Sequence, residues 1–377
     1  MTTTVIPSTE FRNELKKRGG ATAARCYQCA TCTAVCELAQ EDEPFPRRQM
    51  ILAQWGLVDQ LAADPAVWLC HQCNDCTIRC PRDAKPGDVM LVIRSLLVEN
   101  LSTPKFMGKL VGKAKTTWPL LLGIPFAFWI IAVSLFNGGF GTIAQDDKIE
   151  AWADYVPHLT LIDPVFILIA LWVVIAIASS ATRYWKLLGQ GVTRSGSFMS
   201  HLIPVVKEIL FHKRFSSCGT KNTRKTGHLL FLFGFIGAFI TTLAAMAVDY
   251  GFGMPAPLAV PFVDEQGNGY WIKWIGNISA VLLVVGGLML VFNRLGGGAS
   301  VGATTAFDSF FLFVAVMVGV TGSVTELARY TLTPGVGIWI YIAHLSFIMA
   351  LFATFPYCKF SHIVYRTLSM VHERMAK

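Results

Sequence analysis

Eight cysteines fall in two runs with one internal spacing, Cys26, Cys29, Cys32, Cys36 and Cys70, Cys73, Cys76, Cys80, each reading C-x2-C-x2-C-x3-C. Thiolates at such intervals curl around three corners of an iron–sulfur cubane, while the fourth, displaced by one more residue, points away from them. The spacing therefore predicts iron–sulfur ligands and one-electron chemistry. Zinc takes ligand pairs well separated in sequence, and disulfide frameworks belong to small secreted chains, so neither suits two tight runs of four.

The second run is followed by Pro81, and both resemble the run of the bacterial two-cluster ferredoxins, in which the fourth cysteine ligates the other cluster. That pattern assigns one [4Fe-4S] cluster to Cys26, Cys29, Cys32 and Cys80, and the other to Cys70, Cys73, Cys76 and Cys36. Glu37 stands where a proline often follows the fourth cysteine, which weakens the local turn but removes no ligand. Around the cysteines, Pro46 to Leu61 and Pro86 to Leu101 carry apolar residues at helical spacing: Met50, Leu52, Trp55 and Val58, then Val89, Val92, Ile93 and Leu96. Strand-like alternation is scarce. The expected fold is all-α, with a soluble helical two-cluster domain over 1–105.

The rest of the 377 residues has another character, with long apolar runs from Trp118 onward, and the whole chain is 53% hydrophobic and 15% charged. Six membrane spans are expected, at about 118–137, 160–181, 228–249, 272–293, 307–327 and 337–357, each near the roughly 20 apolar residues that cross a bilayer as a helix. They make a membrane domain over 106–377. A shorter stretch, Phe198 to Phe211, carries His201, Lys207 and Glu208 with His212 just beyond, and reads as an amphipathic helix on the membrane surface. The region from Asp88 to about Lys115, with Lys105, Lys109 and Lys113, is expected to link the two parts against an anionic surface.

Cations concentrate between the second and third spans, at Arg183, Lys186, Arg194, Lys207, Lys213, Arg214, Lys221, Arg224 and Lys225. The positive-inside rule puts that connection in the cytoplasm, and six spans then put both termini and the cysteine domain there, in a multi-pass protein of the cytoplasmic membrane. The net charge of +8 is thus a topology signal, and nothing supports a nucleic-acid role. Met1–Gly20 has no apolar core, so no signal peptide is expected. Cys218 and Cys358 stand apart from the runs and are expected to be free thiols.

Among the histidines, His228 opens the third span, while His344 and His362 lie inside and just past the sixth. Their separation is five turns at about 3.6 residues per turn, which places them on one helix face roughly 27 Å apart, with Pro356 between them to bend the helix. That is what a two-haem cytochrome b asks of a ligand helix. An ionisable group at the depth of His344 also needs a ligand or polar partner.

The stretch from His344 to Ile363 resembles the last ligand helix of the cytochrome b (gamma) subunit of respiratory nitrate reductase, and Gly227 to Gly237 resembles its opposing ligand helix. The resemblance implies haem b between His228 and His362. The family's other ligand on the first helix would fall at Ala238, which leaves His344 without its usual partner. Either His158, at the far end of the second span, serves instead, or the second haem is absent. The joined architecture, including the stretch Arg25 to Cys29 and the region from Phe211 to Phe239, resembles the C subunit of the quinone-interacting membrane-bound oxidoreductase, in which counterparts of the C and E subunits of heterodisulfide reductase are fused. The resemblance implies an oxidoreductase subunit that relays electrons between menaquinone and two soluble flavin- and cluster-containing subunits, linked in sulfur metabolism to adenylylsulfate reductase.

Rival readings share the machine but change its end, to heterodisulfide, sulfite or nitrate reduction; the chain has no Cys-Cys-Gly run of the kind that handles a disulfide substrate. A redox-sensing transporter is a rival of another class, and it predicts clusters without haem and spans broken around a midplane site. Glu326, His201 and His212 are weak candidates for a quinone site. Gly296–Gly298 follows no strand and is no dinucleotide fingerprint, and the absence of Cys-x-x-Cys-His argues against covalent haem.

Overall fold

The computed structural model describes residues 5–143, 149, 152–211, 222–252, 271–296 and 302–376. The chain is all-α, with no strand among the described residues. The cysteine part contains α1 (Thr9–Leu15), α2 (Thr31–Ala34), α3 (Arg47–Trp55), α4 (Val58–Ala63), α5 (Ala66–Leu69), α6 (Asp75–Ile78) and α7 (Pro86–Leu101). Pro86 starts α7 at the position where its missing N–H costs nothing. Its Val89, Val92, Ile93 and Leu96 are buried, as their spacing requires. Burial also takes in Asp88, so the linker does not begin there; α7 is the core helix of this part.

The expected helix from Pro46 to Leu61 is two helices. Gly56 sits at φ 73° between α3 and α4, and its carbonyl accepts the Ser8 N–H at 2.8 Å. A Cβ there would lie 2.5 Å from the Ser8 carbonyl oxygen, so contact with the N-terminal segment fixes the break. Trp55, assigned to the apolar stripe by its spacing, is 56% exposed at the end of α3.

The connector is α8 (Lys105–Gly112), and six helices long and apolar enough to cross a membrane follow, over Ala114–Asn137, His158–Leu188, Thr223–Val248, Trp271–Leu295, Ala306–Thr331 and Pro334–Met375. They comprise α9 (Ala114–Asn137), α10 (Asp163–Leu188, opened by a wide turn over His158–Ile162), then α12 (Asn222–Phe252), α13 (Trp271–Leu295), α14 (Ala306–Thr331), and the pair α15 (Pro334–Thr354) and α16 (Lys359–Met375). The short amphipathic stretch is helical too, as α11 (Phe198–Leu210), tied to α16 by an ion pair of Glu208 and Arg374 at 2.6 Å.

Two departures bear on the histidines. α12 begins at Asn222, so His228 lies in its second turn and does not open it. The last span breaks at Phe355–Tyr357 around Pro356, and Cys358 is extended (φ −109°, ψ −163°). His344 and His362 therefore sit on different helices, and the unbroken five-turn count between them does not hold.

In lipid, helices associate through close packing at small residues. A Cβ on Gly234 of α12 would lie 2.7 Å from the Leu283 nitrogen, and one on Gly286 of α13 would lie 2.5 Å from the Phe231 nitrogen. The cysteine part is tied to the helices by hydrogen bonds. The exit of α7 is held by Arg183, which donates to the Leu101 carbonyl at 3.3 Å and to Thr103 Oγ1 at 3.1 Å, and by Tyr357, which donates to the Thr103 carbonyl at 2.9 Å. One apolar core runs through both parts, with Trp68 of α5, Tyr184 of α10 and Tyr365 of α16 among its members.

Candidate metal centre

Each cysteine run contains two left-handed residues at the same places: Gln28 (φ 60°) and Ala30 (φ 67°), then Gln72 (φ 57°) and Asn74 (φ 68°). They flank Cys29 and Cys73, and a one-turn helix follows in each case, α2 and α6. The reversal on both sides of the middle cysteine curls the chain so that successive thiols reach a common space. It costs about 1–2 kcal/mol per non-glycine residue, strain of the kind that accumulates at functional sites. Ala30→Gly is expected to relieve roughly 1 kcal/mol of it, read as a higher thermal midpoint of the detergent-solubilised protein.

Beyond the fourth cysteine both runs turn alike: the Ala39 N–H donates to the Cys36 carbonyl at 3.1 Å and the Asp83 N–H to the Cys80 carbonyl at 3.3 Å. Glu37 therefore serves where Pro81 does in the other run. Cys26, Cys29, Cys32 and Cys80 line one small cavity, which Tyr27 and Arg82 also border. Cys36 in turn lies within electrostatic reach of Cys70, Cys73 and Cys76. The fourth cysteine of each run thus stands with the first three of the other.

Burial foremost, and then the charges of Cys70 and Cys73, push the Cys36 thiol up to about 11; burial with the same neighbours and Cys36 raises Cys76 as well. Thiols that resist ionising side by side become thiolates when a bound cation neutralises them. N–H groups already point at the sulfurs, from Gln72 to Cys70 Sγ and from Ala84 to Cys80 Sγ, both at 3.4 Å. Among the described residues no three His, Cys, Asp or Glu side chains converge on a single ion. Four sulfurs around one cavity are a donor set that fits a cubane cluster.

The two groups of thiols face different ways. Cys29 is exposed and Tyr27 beside it is 70% exposed, whereas the second run is held against the membrane helices. Arg366 of α16 donates to the Trp68 and Leu69 carbonyls at 3.2 and 2.9 Å and shares a 3.1 Å contact with His71 Nδ1. Arg224 of α12 donates to the Gln72 carbonyl at 2.8 Å. From within the cysteine part, Arg94 donates to the Val67 and Cys70 carbonyls at 2.7 and 2.9 Å. The third anchor is Asp88, which accepts the Ala303 N–H at 2.8 Å.

His362 lies at this junction, its ring 5.7 Å from the Trp68 ring. Its Nδ1 is buried with no hydrogen-bond partner, and His228 is close enough to act on it electrostatically. Rings of Phe235 and Phe360 meet at 5.1 Å between the same two helices. Two imidazoles from separate helices beside an aromatic wall, one with an orphaned nitrogen, are donors that fit a haem iron. His344 is turned to α14: Nδ1 lies 3.0 Å from Thr321 Oγ1, and a Cβ on Gly322 would lie 3.0 Å from Cε1. A ligating histidine usually donates its other ring N–H to an acceptor, and Thr321 Oγ1, whose own proton goes to the Met317 carbonyl, can be that acceptor here. His158 is half-buried in the turn that opens α10.

Glu326 accepts from Lys273 Nζ at 2.8 Å and from Tyr330 Oη at 3.2 Å, an ion pair whose lysine is 2% exposed. His201 is on α11, Cys358 is buried, and His212 and Cys218 lie outside the described residues. Arg94, Arg224, Arg366 and Trp68 escaped the reading by residue type. The mirror spacing of Arg224 to His228 and of His362 to Arg366, one helical turn each, is the signal that could have found two of them.

Residues 22–84 match the family described as the 4Fe-4S dicluster domain. The chain is 40% identical over 87 residues to the C subunit of the H(2):CoB-CoM heterodisulfide,ferredoxin reductase of Methanothermobacter thermautotrophicus, covering 23% of this chain and 46% of that one. It is 37% identical over 86 residues to a protein of Archaeoglobus profundus described as like the C subunit of heterodisulfide reductase, covering 22% and 46%. The chain thus spans less than half the length of these relatives. A longer match runs to the citrate utilization protein B of Escherichia coli, 23% identical over 362 residues, 92% of this chain and 88% of that one. No solved structure matches. The cysteine part is therefore a 4Fe-4S dicluster domain, similar to the C subunit of heterodisulfide reductase and joined to six helices of membrane length.

Proposed function

From a dicluster domain seated on six membrane-length helices, we propose that this chain is the membrane subunit that passes electrons between menaquinone or menaquinol and two soluble flavin- and cluster-containing subunits, in a complex linked to adenylylsulfate reductase. Two [4Fe-4S] clusters and a haem b supply reversible one-electron carriers when bound. Cys26, Cys29, Cys32 and Cys80 would hold the exposed cluster, where the soluble subunits dock. Cys70, Cys73, Cys76 and Cys36 would hold the one that faces the helices, and His228 and His362 the haem. A second haem, if the chain binds one, would be held by His344 with His158 as candidate partner. The charge of the connection after α10 favours a cytoplasmic dicluster domain.

One observation carries the reading. Trp68 precedes Cys70 by two residues, and its fully buried ring lies 5.7 Å from that of His362. A single side chain therefore separates the loop of a cluster ligand from the proposed haem ligand. A second reading follows the near full-length likeness to citrate utilization protein B: the same relay, serving citrate metabolism.

The purified protein should show haem b absorbance that a quinol analogue reduces, and His228→Ala should abolish that reduction. Normal haem reduction in the variant, or a wild-type protein with iron and sulfide but no haem, would overturn the relay. Soluble subunits that co-purify with the chain decide between its sulfur-linked and citrate-linked forms.

A further inference from the structure

Arg224 and His228 share one face of α12, and His362 and Arg366 share one face of α16, because residues four apart are neighbours on a helix. Each arginine reaches back to the second cysteine run. Arg366 spans the carbonyls of Trp68, Leu69 and Cys70 at 3.2, 2.9 and 3.4 Å, and Arg224 takes that of Gln72 at 2.8 Å. Between them they grip the backbone on both sides of His71. The charge of Arg224 is felt at Cys70 and Cys73, and that of Arg366 at His362. The exposed cysteine group has a different setting: Arg47 and Arg82 border its cavity, Arg82 lying over the Tyr27 ring at 4.2 Å, and among the described hydrogen bonds the Cys26 carbonyl accepts from the neutral Gln54 amide, not from a guanidinium.

We propose that Arg224 and Arg366 are positioning residues that lock the Cys70 loop to the two histidine-bearing helices and raise the reduction potential of the cluster held there above that of the exposed cluster. This rests on the cluster and ligand assignments proposed above. One electron added to a cluster adds one negative charge at its loop. Three guanidinium groups donate to that loop's carbonyls and favour the added charge: Arg94 from within the dicluster domain, and Arg224 and Arg366 from the helices that carry His228 and His362. The electron is thereby drawn to the end of the dicluster domain that meets the membrane helices.

The test is a redox titration monitored by electron paramagnetic resonance on the full-length protein, with iron and sulfide measured on the same samples. The signal of the Cys70 run is identified as the one lost in Cys73→Ser. In Arg366→Gln that signal should move to more negative potential by a tenfold or larger change in the electron's partition between the clusters, about 59 mV for one electron. The other signal should stay, and Arg366→Lys, which keeps the charge, should restore most of the shift. Arg224→Gln, which removes one hydrogen bond from the other helix, should shift the same signal the same way. Iron content unchanged with neither signal moved, or with both moved equally, overturns the proposal. So does loss of iron in Arg366→Gln while Arg224→Gln leaves the potential unchanged, since the arginines would then only hold the loop. A wild-type protein without iron would refute the cluster assignment instead.

Discussion

Replacing Cys80 by serine is expected to remove the cluster of the other cysteine run and to spare that of its own. Iron should fall from about eight to about four atoms per chain, and the signal that survives should match the one that survives in Cys29→Ser. Cys36→Ser should do the converse and match Cys73→Ser. The expectation follows from placement: Cys80 lines the cavity of Cys26, Cys29 and Cys32, while Cys36 feels the charges of Cys70 and Cys73. A serine hydroxyl ionises far less readily than a thiol and leaves the fourth corner of the cubane without a soft anionic donor. If Cys80→Ser retained the signal that survives in Cys73→Ser, each run would hold its own cluster and the interleaving would be wrong.

Much of this molecule was legible in its sequence because the signals are local. Ligand spacing marks the two cysteine runs, and hydropathy marks the six long helices, whose positions differ from the expected spans mainly at the ends. What escaped was decided by contacts between distant residues. Gly56 interrupts an apolar pattern that reads as one helix because the Ser8 backbone presses against it. Pro356 announces a bend, but the break around it also needs Tyr357 pinned to Thr103, far back along the chain. Arg224 reads as a topology charge, and Arg366 is a cation four residues past His362. Their partners lie 152 residues or more away, so the one-turn spacing from His228 and His362 is the sole local hint of them. The same holds for Trp68, an ordinary apolar residue beside a cysteine until the fold places α10 and α16 around it.

Trp68→Ala is expected to have the largest effect on stability of any single change in the dicluster domain. The ring is fully buried, 4.6 Å from Tyr365 and 6.1 Å from Tyr184 as well as 5.7 Å from His362. Large-to-small changes at such a site lose the transfer free energy of the ring and leave a cavity, about 3–5 kcal/mol in all. The cavity would open between the Cys70 loop and the last helix, so the loss should appear as release of the dicluster domain from the helices, read as earlier proteolysis and a lower thermal midpoint. Transfer should suffer separately, since tunnelling decays faster across a void than across packed atoms. Trp68→Phe fills most of the space and separates the two effects: it should recover the greater part of the stability and keep transfer close to wild type, whereas Trp68→Ala, measured where it is still folded, should slow cluster reduction after rapid reduction of the haem. A Trp68→Ala protein that melts with the wild type would show that the ring is not the joint between the two parts, and one that is less stable but transfers at full speed would take the electron path away from it.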